Sequence, residues 1–281
     1  MIDLRLRRIP GIRGERQQME EQNMVLAVDI GNTNIVLGVF DRDELVFTAR
    51  VSTDKNRTAD EYSVLIHGIF EINGFDLSRF DGIILSSVVP QLNSVVAYAL
   101  SRFTSVRIRT VGPGLRTGFR ILADDPTELG SDMVCNAAGA LSEFEGPLTI
   151  VDFGTATTFT VVNADSDICG VVIAPGMRIS AEALTGGTAQ LPHIPLDGEV
   201  KVFGRNTVEC MRAGIVGGTA AMVDGMLVRI EEELGTPVKL IVPGGVSELL
   251  VPQIRHELVH RPNLLVHGLY SLYKRNTRTE R

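Results

Sequence analysis

The order of hydrophobic and polar positions predicts the same series of strands at two places in the chain. The apolar segments MVLAVDI and IVLGVF predict two buried strands around a tight Gly-Asn-Thr-Asn turn, and ELVFTARVS predicts a third strand. Further along, PLTIVDF, ATTFTVVN and ICGVVIAPG repeat this pattern. Because an acidic residue precedes the turn in both places, at Asp29 and Asp152, we interpret the chain as two similar halves.

Polar residues between the strands mark where helices begin. A TADE pattern at residues 58–61 fits a capping box and predicts a helix over about 59–72, followed by the strand GIILSSVV. The pattern DPTE at residues 125–128 predicts a second capping box, with proline at the first helical position and a helix from Pro126 to about Phe144. In both cases the predicted cap is a side chain that accepts from a free backbone N–H group.

Composition and charge narrow the functional classes. The chain has 281 residues, of which 44% are hydrophobic and 22% charged, as expected for a globular protein of about two domains. The net charge of −7 and the scattered basic residues disfavour a nucleic-acid binder. No apolar run approaches the roughly 18 residues of a spanning helix, and the N-terminus lacks a secretory signal. We therefore expect a cytoplasmic protein that does not contact a membrane.

Two features that often signal a metal site are discounted. The three cysteines, Cys135, Cys169 and Cys210, form no CxxC pair and are predicted to be buried thiols in a reducing compartment. HELVH at residues 256–260 fits a zinc-protease pattern, but flanking prolines leave room for a short helix only. We interpret that segment as an exposed short helix with its polar side outward.

The two turns that follow an acidic residue carry side chains suited to binding phosphate. Each has a carboxylate at the end of an apolar strand, then a glycine, then hydroxyl side chains, over Asp29 to Thr33 and Asp152 to Thr158. Glycine lets backbone N–H groups approach an anion, and hydroxyls can donate to phosphate oxygens. No lysine stands where a P-loop needs one. Either turn alone also fits an ordinary hairpin, but the pair suggests two turns that grip one nucleotide.

Seven segments resemble, in order and spacing, those of the type III pantothenate kinases. The resemblance spans about residues 24–270, and DFGTATTF and GRNTVE are its most specific parts. The segments are Asp29 to Ile35, Ser86 to Pro90, Gly112 to Gly118, Gly130 to Ala137, Asp152 to Phe159, Ala174 to Leu184 and Gly204 to Gly214. The resemblance implies an α/β fold of two ribonuclease-H-like domains, with mixed sheets flanked by helices and the nucleotide in the interdomain cleft. It also implies a homodimer that uses ATP, Mg²⁺ and a monovalent cation, K⁺ or NH₄⁺.

The chain is accordingly divided into four sections. Residues 1–23 are predicted to be a disordered N-terminal extension, because Arg and acidic residues mix there before the first apolar segment. The resemblance implies an N-terminal domain over 24–143 and a C-terminal domain over 144–270. Residues 271–281 are interpreted as a charged tail.

Matching motif positions implies a role for each site residue. Nucleotide contacts are implied for Thr155 and for the first turn, that is Asp29, Ile30, Gly31, Asn32, Thr33, Asn34, Ile35 and Val36. Asp29 would also hold Mg²⁺, and Asp152 the monovalent cation. Asp132 matches the general base, and we place it within two turns of the helix start, where the positive end favours an ionised carboxylate. Substrate contacts are implied for Gly130, Ser131, Asp132, Met133 and Thr207.

The implied function is phosphorylation of pantothenate by ATP to 4'-phosphopantothenate, the first step of coenzyme A biosynthesis. The departures from the family pattern lie on the acceptor side. Met133 stands where an arginine usually contacts pantothenate, and Ala123 replaces an aromatic residue. Thr185-Gly186-Gly187 replaces a bulkier segment, and Arg116, Arg120 and Arg178 are candidates for a replacement cation. A second hypothesis is therefore a catalytically weak or substrate-altered homologue that binds nucleotide in an accessory or regulatory role.

Overall fold

The first half of the chain folds around a mixed five-stranded sheet. The computed structural model describes residues 24–245 and 247–277, so the predicted extension over 1–23 lies outside the described residues. The strand order is β3-β2-β1-β4-β5, with an antiparallel meander on one side of β1 and parallel strands on the other. The strands are β1 Met24–Ile30, β2 Asn34–Asp41, β3 Glu44–Ser52, β4 Gly82–Ser87 and β5 Ile108–Thr110. The sequence pattern predicts the first four, β1 to β4.

The second half repeats this sheet strand for strand. The order is β10-β9-β6-β7-β8, again with an antiparallel meander on one side of the first strand, β6, and parallel strands on the other. The strands are β6 Leu148–Phe153, β7 Ala156–Val162, β8 Ile168–Pro175, β9 Lys239–Pro243 and β10 Leu258–Arg261. The predicted internal repeat is confirmed, as is the predicted fold class of two mixed sheets flanked by helices.

Helices cover the two sheets and connect them. They are α1 Ala59–Ile72, α2 Pro90–Ser101, α3 Ser131–Glu143, α4 Met177–Gly187, α5 Thr207–Arg212, α6 Gly218–Leu234, α7 Ser247–Leu250 and α8 Leu264–Thr277. The bounds of α1 match the prediction because its capping box is local: Thr58 accepts from the backbone of Glu61, whose carboxylate accepts in turn from Thr58 N at 2.7 Å. The apolar face of α1 packs into the core of the first sheet.

The predicted start of α3 at Pro126 is wrong. Residues Pro126–Glu128 form a separate 3-10 turn, and α3 begins only at Ser131, with Gly130 as its N-cap. The Asp125 carboxylate accepts from Thr127 N at 2.8 Å, which closes the short turn and leaves the second predicted capping box unformed. Asp132 therefore lies in the first turn of α3, closer to the helix start than the sequence indicated.

The last helix, α8, returns from the second half to pack on the first sheet. It runs through residue 270 to Thr277, so residues 271–277 are helical and are not part of a tail. The ring of Tyr270 stacks on that of Phe40 in β2, with ring centres 4.1 Å apart. Helix α8 also contacts α3 closely, since an added Cβ at Gly268 would overlap the Cys135 carbonyl. The predicted domain limits at 143 and 270 stay a prediction, and this helix crosses the second one.

Two smaller predictions from the sequence are wrong. HELVH does not form a helix, because Leu258–Arg261 is β10, paired with β9, and His260 Nε2 lies 2.8 Å from the Gly244 carbonyl. Cys135 is buried as expected, but Cys169 is half-buried and Cys210 is exposed. Among the described residues no group of three or more His, Cys, Asp or Glu side chains is arranged to hold a metal ion by itself.

The helical stretch from α5 to α6 is long and apolar. An 18-residue window within Thr207–Leu234 has a mean hydropathy of 1.4, which makes this the one helical stretch in the described part of the chain that could cross a membrane by length and composition. Several of its residues are instead built into the core of the second sheet, among them Val223, Leu227 and Ile230. We therefore assign it as a core helix of the second half.

Candidate active site

We call the turns over Asp29 to Thr33 and Asp152 to Thr158 the first and second phosphate-type turns. The first one lies at the carboxyl end of β1. Asp29 is 7% exposed and lies beside Ser86, which precedes the end of the parallel strand β4. The turn is closed by a hydrogen bond from Gly31 N to the Asn34 carbonyl at 3.0 Å. From the end of β3, Thr53 Oγ1 donates to the Gly31 carbonyl at 2.7 Å. These contacts fix the turn while the side chains of residues 32–34 remain exposed.

The second turn lies at the matching end of β6 and meets the first one. Gly154 N donates to the Ala156 carbonyl at 3.0 Å, and Gly176 packs so closely against the turn that an added Cβ would lie 2.3 Å from the Thr155 carbonyl. The hydroxyl oxygens of Thr33 and Thr155 are 3.2 Å apart. This contact joins residues 122 positions apart in sequence and brings the predicted nucleotide-binding hydroxyls of the two halves together.

Helix α3 brings a third carboxylate to the same place. The Ser131 hydroxyl accepts from Ser87 N at 3.1 Å and donates to the Ser87 carbonyl at 2.9 Å, which fastens the helix start to the end of β4. An added Cβ at Gly130 would lie 2.4 Å from Asp132 Oδ1, so a larger residue there would displace this carboxylate. One helical turn after Asp132, Asn136 Nδ2 donates to Asp152 Oδ2 at 3.0 Å.

Burial raises the pKa values of all three carboxylates, and charge repulsion adds to the shift at Asp29 and Asp152. Burial is the main cause of a pKa of about 7 for Asp29, with further contributions from the charges of Asp132 and Asp152, against a hydrogen bond from Ser86. Burial and Asp132 raise the pKa of Asp152 to about 6, although Asn136 opposes the shift. The pKa of Asp132 is also raised by burial, which outweighs its backbone N–H bonds at the helix start. Burial at this site thus has a larger effect than the helix position used in the sequence argument.

The residues of the cluster fit a divalent cation held mainly through a nucleotide. Asp29 Oδ1 is buried without a hydrogen-bond partner, which is unusual for a carboxylate oxygen and leaves it available to a ligand. Mg²⁺ commonly takes one or two carboxylates and completes its shell with water and substrate phosphates. One free buried carboxylate oxygen beside two phosphate-type turns fits that pattern. The buried Asn136 Oδ1 also lacks a partner, next to Asp152.

Comparison with known proteins assigns the family. Residues 25–229 match the family described as type III pantothenate kinase. The chain is 42% identical over 253 residues to the type III pantothenate kinase of Geotalea daltonii, covering 90% of this chain and 99% of that protein. It is 41% identical to the type III pantothenate kinase of Brevibacillus brevis, again covering 90% of this chain and 99% of that protein. The chain belongs to the type III pantothenate kinase family.

Solved structures show the same fold at low sequence identity. An activator of 2-hydroxyisocaproyl-CoA dehydratase from Clostridium difficile, solved with bound ADPNP, has a TM-score of 0.52 and 12% identity, covering 92% of this chain and 98% of that one. A ROK hexokinase from Thermus thermophilus has a TM-score of 0.50 and 15% identity, covering 90% and 100%. These similarities support the fold of a sugar kinase or actin-like ATPase.

The structure divides the predicted nucleotide-binding residues of this type III pantothenate kinase into two groups. Ile30 and Ile35 are buried in the core of the first sheet, so a nucleotide could meet only their backbone. Val36 is half-buried and packs against the apolar cluster that joins the first sheet to helices α3 and α8. The exposed members at the turn are Asn32, Thr33 and Asn34, and Thr155 lies opposite them.

The predicted acceptor-side residues are more scattered. Met133 is 9% exposed and belongs to the core, so the thioether fills space there. Thr207 is exposed at the start of α5, and its side chain makes no hydrogen bond to another described residue. Of the candidate replacement cations, Arg120 pairs with Asp167 at 2.6 Å, whereas Arg178 Nη2 donates to Thr33 Oγ1 at 3.3 Å. Arg178 thus lies at the site.

Three residues that support the site are absent from the sequence assignment. Ser86 lies beside Asp29 and lowers its pKa, Asn136 Nδ2 donates to Asp152, and Gly176 lets α4 begin against the second turn. Asn136 has a sequence signal, because it lies four residues after Asp132 and so on the same helical face. Ser86 and Gly176 lie in segments that carry the family resemblance, but no local pattern gives them a role, since their contacts join segments that are distant in sequence.

Proposed function

We propose that this protein transfers the terminal phosphoryl group of ATP to the terminal hydroxyl of pantothenate, the first step of coenzyme A biosynthesis. The observation that carries the proposal is the meeting of two phosphate-type turns, at Thr33 and Thr155, with the half-buried carboxylate of Asp132 at the start of α3. Family membership supports the choice of acceptor. The cleft between the two sheets is the place where the nucleotide would bind.

Asp132 is the proposed general base. It would accept or orient the proton of the acceptor hydroxyl, while backbone N–H groups of the two turns and the hydroxyls of Thr33 and Thr155 hold the phosphates. Its raised pKa suits this role, because a carboxylate with a higher pKa is a stronger proton acceptor. The N–H groups at the start of α3 keep it hydrogen-bonded: Met133 N donates to Asp132 Oδ1 at 2.8 Å.

Two cations are proposed at the carboxylates of the turns. Asp29, whose buried Oδ1 has no hydrogen-bond partner, would contact Mg²⁺. A bound Mg²⁺ would neutralise part of the phosphate charge. Asp152, with the neighbouring Asn136, would hold a monovalent cation, K⁺ or NH₄⁺. A bound cation keeps a carboxylate ionised, which removes the effect of the raised pKa values near neutral pH.

Transfer of phosphate from ATP to pantothenate, with Mg²⁺ and K⁺ present, tests the proposal. We expect Asp132→Asn to lower kcat by roughly 10² to 10⁴, because the base is lost, while ATP still binds. Asp60→Asn is the matched control, since Asp60 also lies at the second position of a helix, α1, but is exposed and far in sequence from the site. ATP turnover that pantothenate does not stimulate would instead favour the altered-substrate hypothesis, which the buried Met133 motivates.

A cytoplasmic homodimer is the proposed form of the protein. Large apolar side chains of the second half are exposed, including Ile173 at 68%, Val202 at 96% and Phe203 at 72%. Such side chains are candidates for burial against a second copy. We expect Phe203→Glu to convert the dimer to a monomer in light scattering coupled to gel filtration, whereas Ile72→Glu, at an 87% exposed site in the first half, should not. An unchanged mass of the Phe203→Glu variant would contradict this interface.

A further inference from the structure

Arg178 places a guanidinium against the first phosphate-type turn, although it belongs to the second half. It is the second residue of α4, and its Nη2 donates to Thr33 Oγ1 at 3.3 Å. Thr33 Oγ1 in turn lies 3.2 Å from Thr155 Oγ1. The arginine therefore reaches across the junction of the two halves at the point where both turns meet.

The start of α4 is held firmly in this position. Its N-cap, Gly176, is buried against the second turn, where an added Cβ would lie 2.3 Å from the Thr155 carbonyl and 2.5 Å from the Gly154 carbonyl. Next to it, Met177 is buried in the core of the second sheet. Arg178 follows directly and is exposed, so its backbone is anchored while its side chain is free to turn toward the cleft.

The negative charge at the site favours a cationic side chain such as that of Arg178. The carboxylates of Asp29, Asp132 and Asp152 lie near one another at this site, and a nucleoside triphosphate adds further negative charge. Arginine matches the planar geometry of phosphate oxygens and stays ionised throughout the working pH range. The partner of Arg178 in this structure is a neutral hydroxyl, which is a weaker acceptor than a phosphate oxygen.

We propose that Arg178 binds the terminal phosphate of the nucleotide and thereby couples nucleotide binding to contact between the two halves. The inference rests on the proposed kinase function, and it adds a residue for which that function gives no role. Its partner is a hydroxyl of the phosphate-side turn, so we assign it to phosphate and not to the carboxylate of the acceptor. Arg178 can contact the first turn without a movement of α4, because its side chain alone reaches Thr33.

Nucleotide binding without pantothenate tests this proposal directly. We expect Arg178→Gln to weaken the binding of a non-hydrolysable ATP analogue about 10- to 100-fold in calorimetry with Mg²⁺, because a charged hydrogen bond to phosphate is lost. ADP, which lacks only the terminal phosphate, should bind the variant and the parent protein equally. Arg178→Lys should recover part of the lost affinity, since it restores the charge but not the planar donor set.

Two controls make the outcome decisive. Arg79→Gln changes an exposed arginine in the 3-10 turn Leu77–Arg79, next to the amino end of β4, and should leave all affinities unchanged. Equal weakening of the ATP analogue and ADP by Arg178→Gln would overturn the proposal, as would unchanged ATP affinity with a raised KM for pantothenate. Because binding is measured without the acceptor, a protein that fails to phosphorylate pantothenate can still confirm or refute the role of Arg178.

Discussion

The turn after β1 and the turn after β6 occupy equivalent places in the two sheets, yet their carboxylates differ. Asp29 has a buried oxygen without a partner and a pKa of about 7. Asp152 accepts a hydrogen bond from Asn136 and has a pKa of about 6. The repeated sheets thus place two carboxylates at equivalent positions, and helix α3 donates a side-chain hydrogen bond to Asp152 only. Asp29, whose Oδ1 has no hydrogen-bond partner, is the better candidate for direct contact with a magnesium ion.

The largest expected effect is on catalysis. We expect Asp29→Asn to lower kcat/KM by about 10³ or more, because a direct cation ligand supplies several kcal/mol of charge stabilisation. Asp152→Asn should cost less, roughly 10- to 100-fold, because the cation proposed there carries a single charge. Steady-state kinetics at saturating Mg²⁺ and K⁺ measure both.

Asp41→Asn is the control for this comparison, since Asp41 lies at the opposite end of the β1 and β2 pair and is exposed. Equal losses for Asp29→Asn and Asp152→Asn would show that the two turns have the same role, and the distinction between them would then fail.

The next effect is on stability without cations or nucleotide. Because the pKa of Asp29 rises on folding from 3.8 to about 7, the folded state binds more protons than the unfolded state between these values. Unfolding free energy should therefore fall as pH rises from about 4 to about 7. Asp29→Asn removes this loss and should be more stable than the parent protein at pH 8 by on the order of 2 to 4 kcal/mol.

Urea unfolding at pH 5, 6.5 and 8 in the presence of a chelator checks this expectation. Asp152→Asn should flatten the same pH dependence over a window that ends lower, near its pKa of about 6. A parent protein that becomes more stable over this range would contradict the raised pKa values.

The smallest effect concerns the hydroxyls that join the turns. Thr33→Val and Thr155→Val should each raise the KM for ATP roughly 3- to 10-fold, in proportion to one neutral hydrogen bond. Because the two oxygens are 3.2 Å apart, the double variant should lose less than the sum of the single losses. Fully additive losses would indicate that the hydroxyls act independently.

The sequence predicts the local elements of this protein well. The repeat of three antiparallel strands follows from alternating apolar segments, and the bounds of α1 follow from one capping box. The start of α3 is different, because its true N-cap, Gly130, has no capping side chain and is stabilised by the bonds of Ser131 to Ser87. A stronger local signal at residues 125–128 therefore led to the wrong helix start.

The sequence by itself determined the two-fold repeat, the two turns and, through its resemblance, the family. The tertiary structure alone decided that Asp29, Asp132 and Asp152 share one site, that Asn136 holds one of them, and that α8 returns to the first sheet. It also placed Arg178 against Thr33. The physical reason is that strand pattern and capping act between residues a few positions apart, whereas burial, charge repulsion and cross-cleft hydrogen bonds act between atoms that only folding brings together.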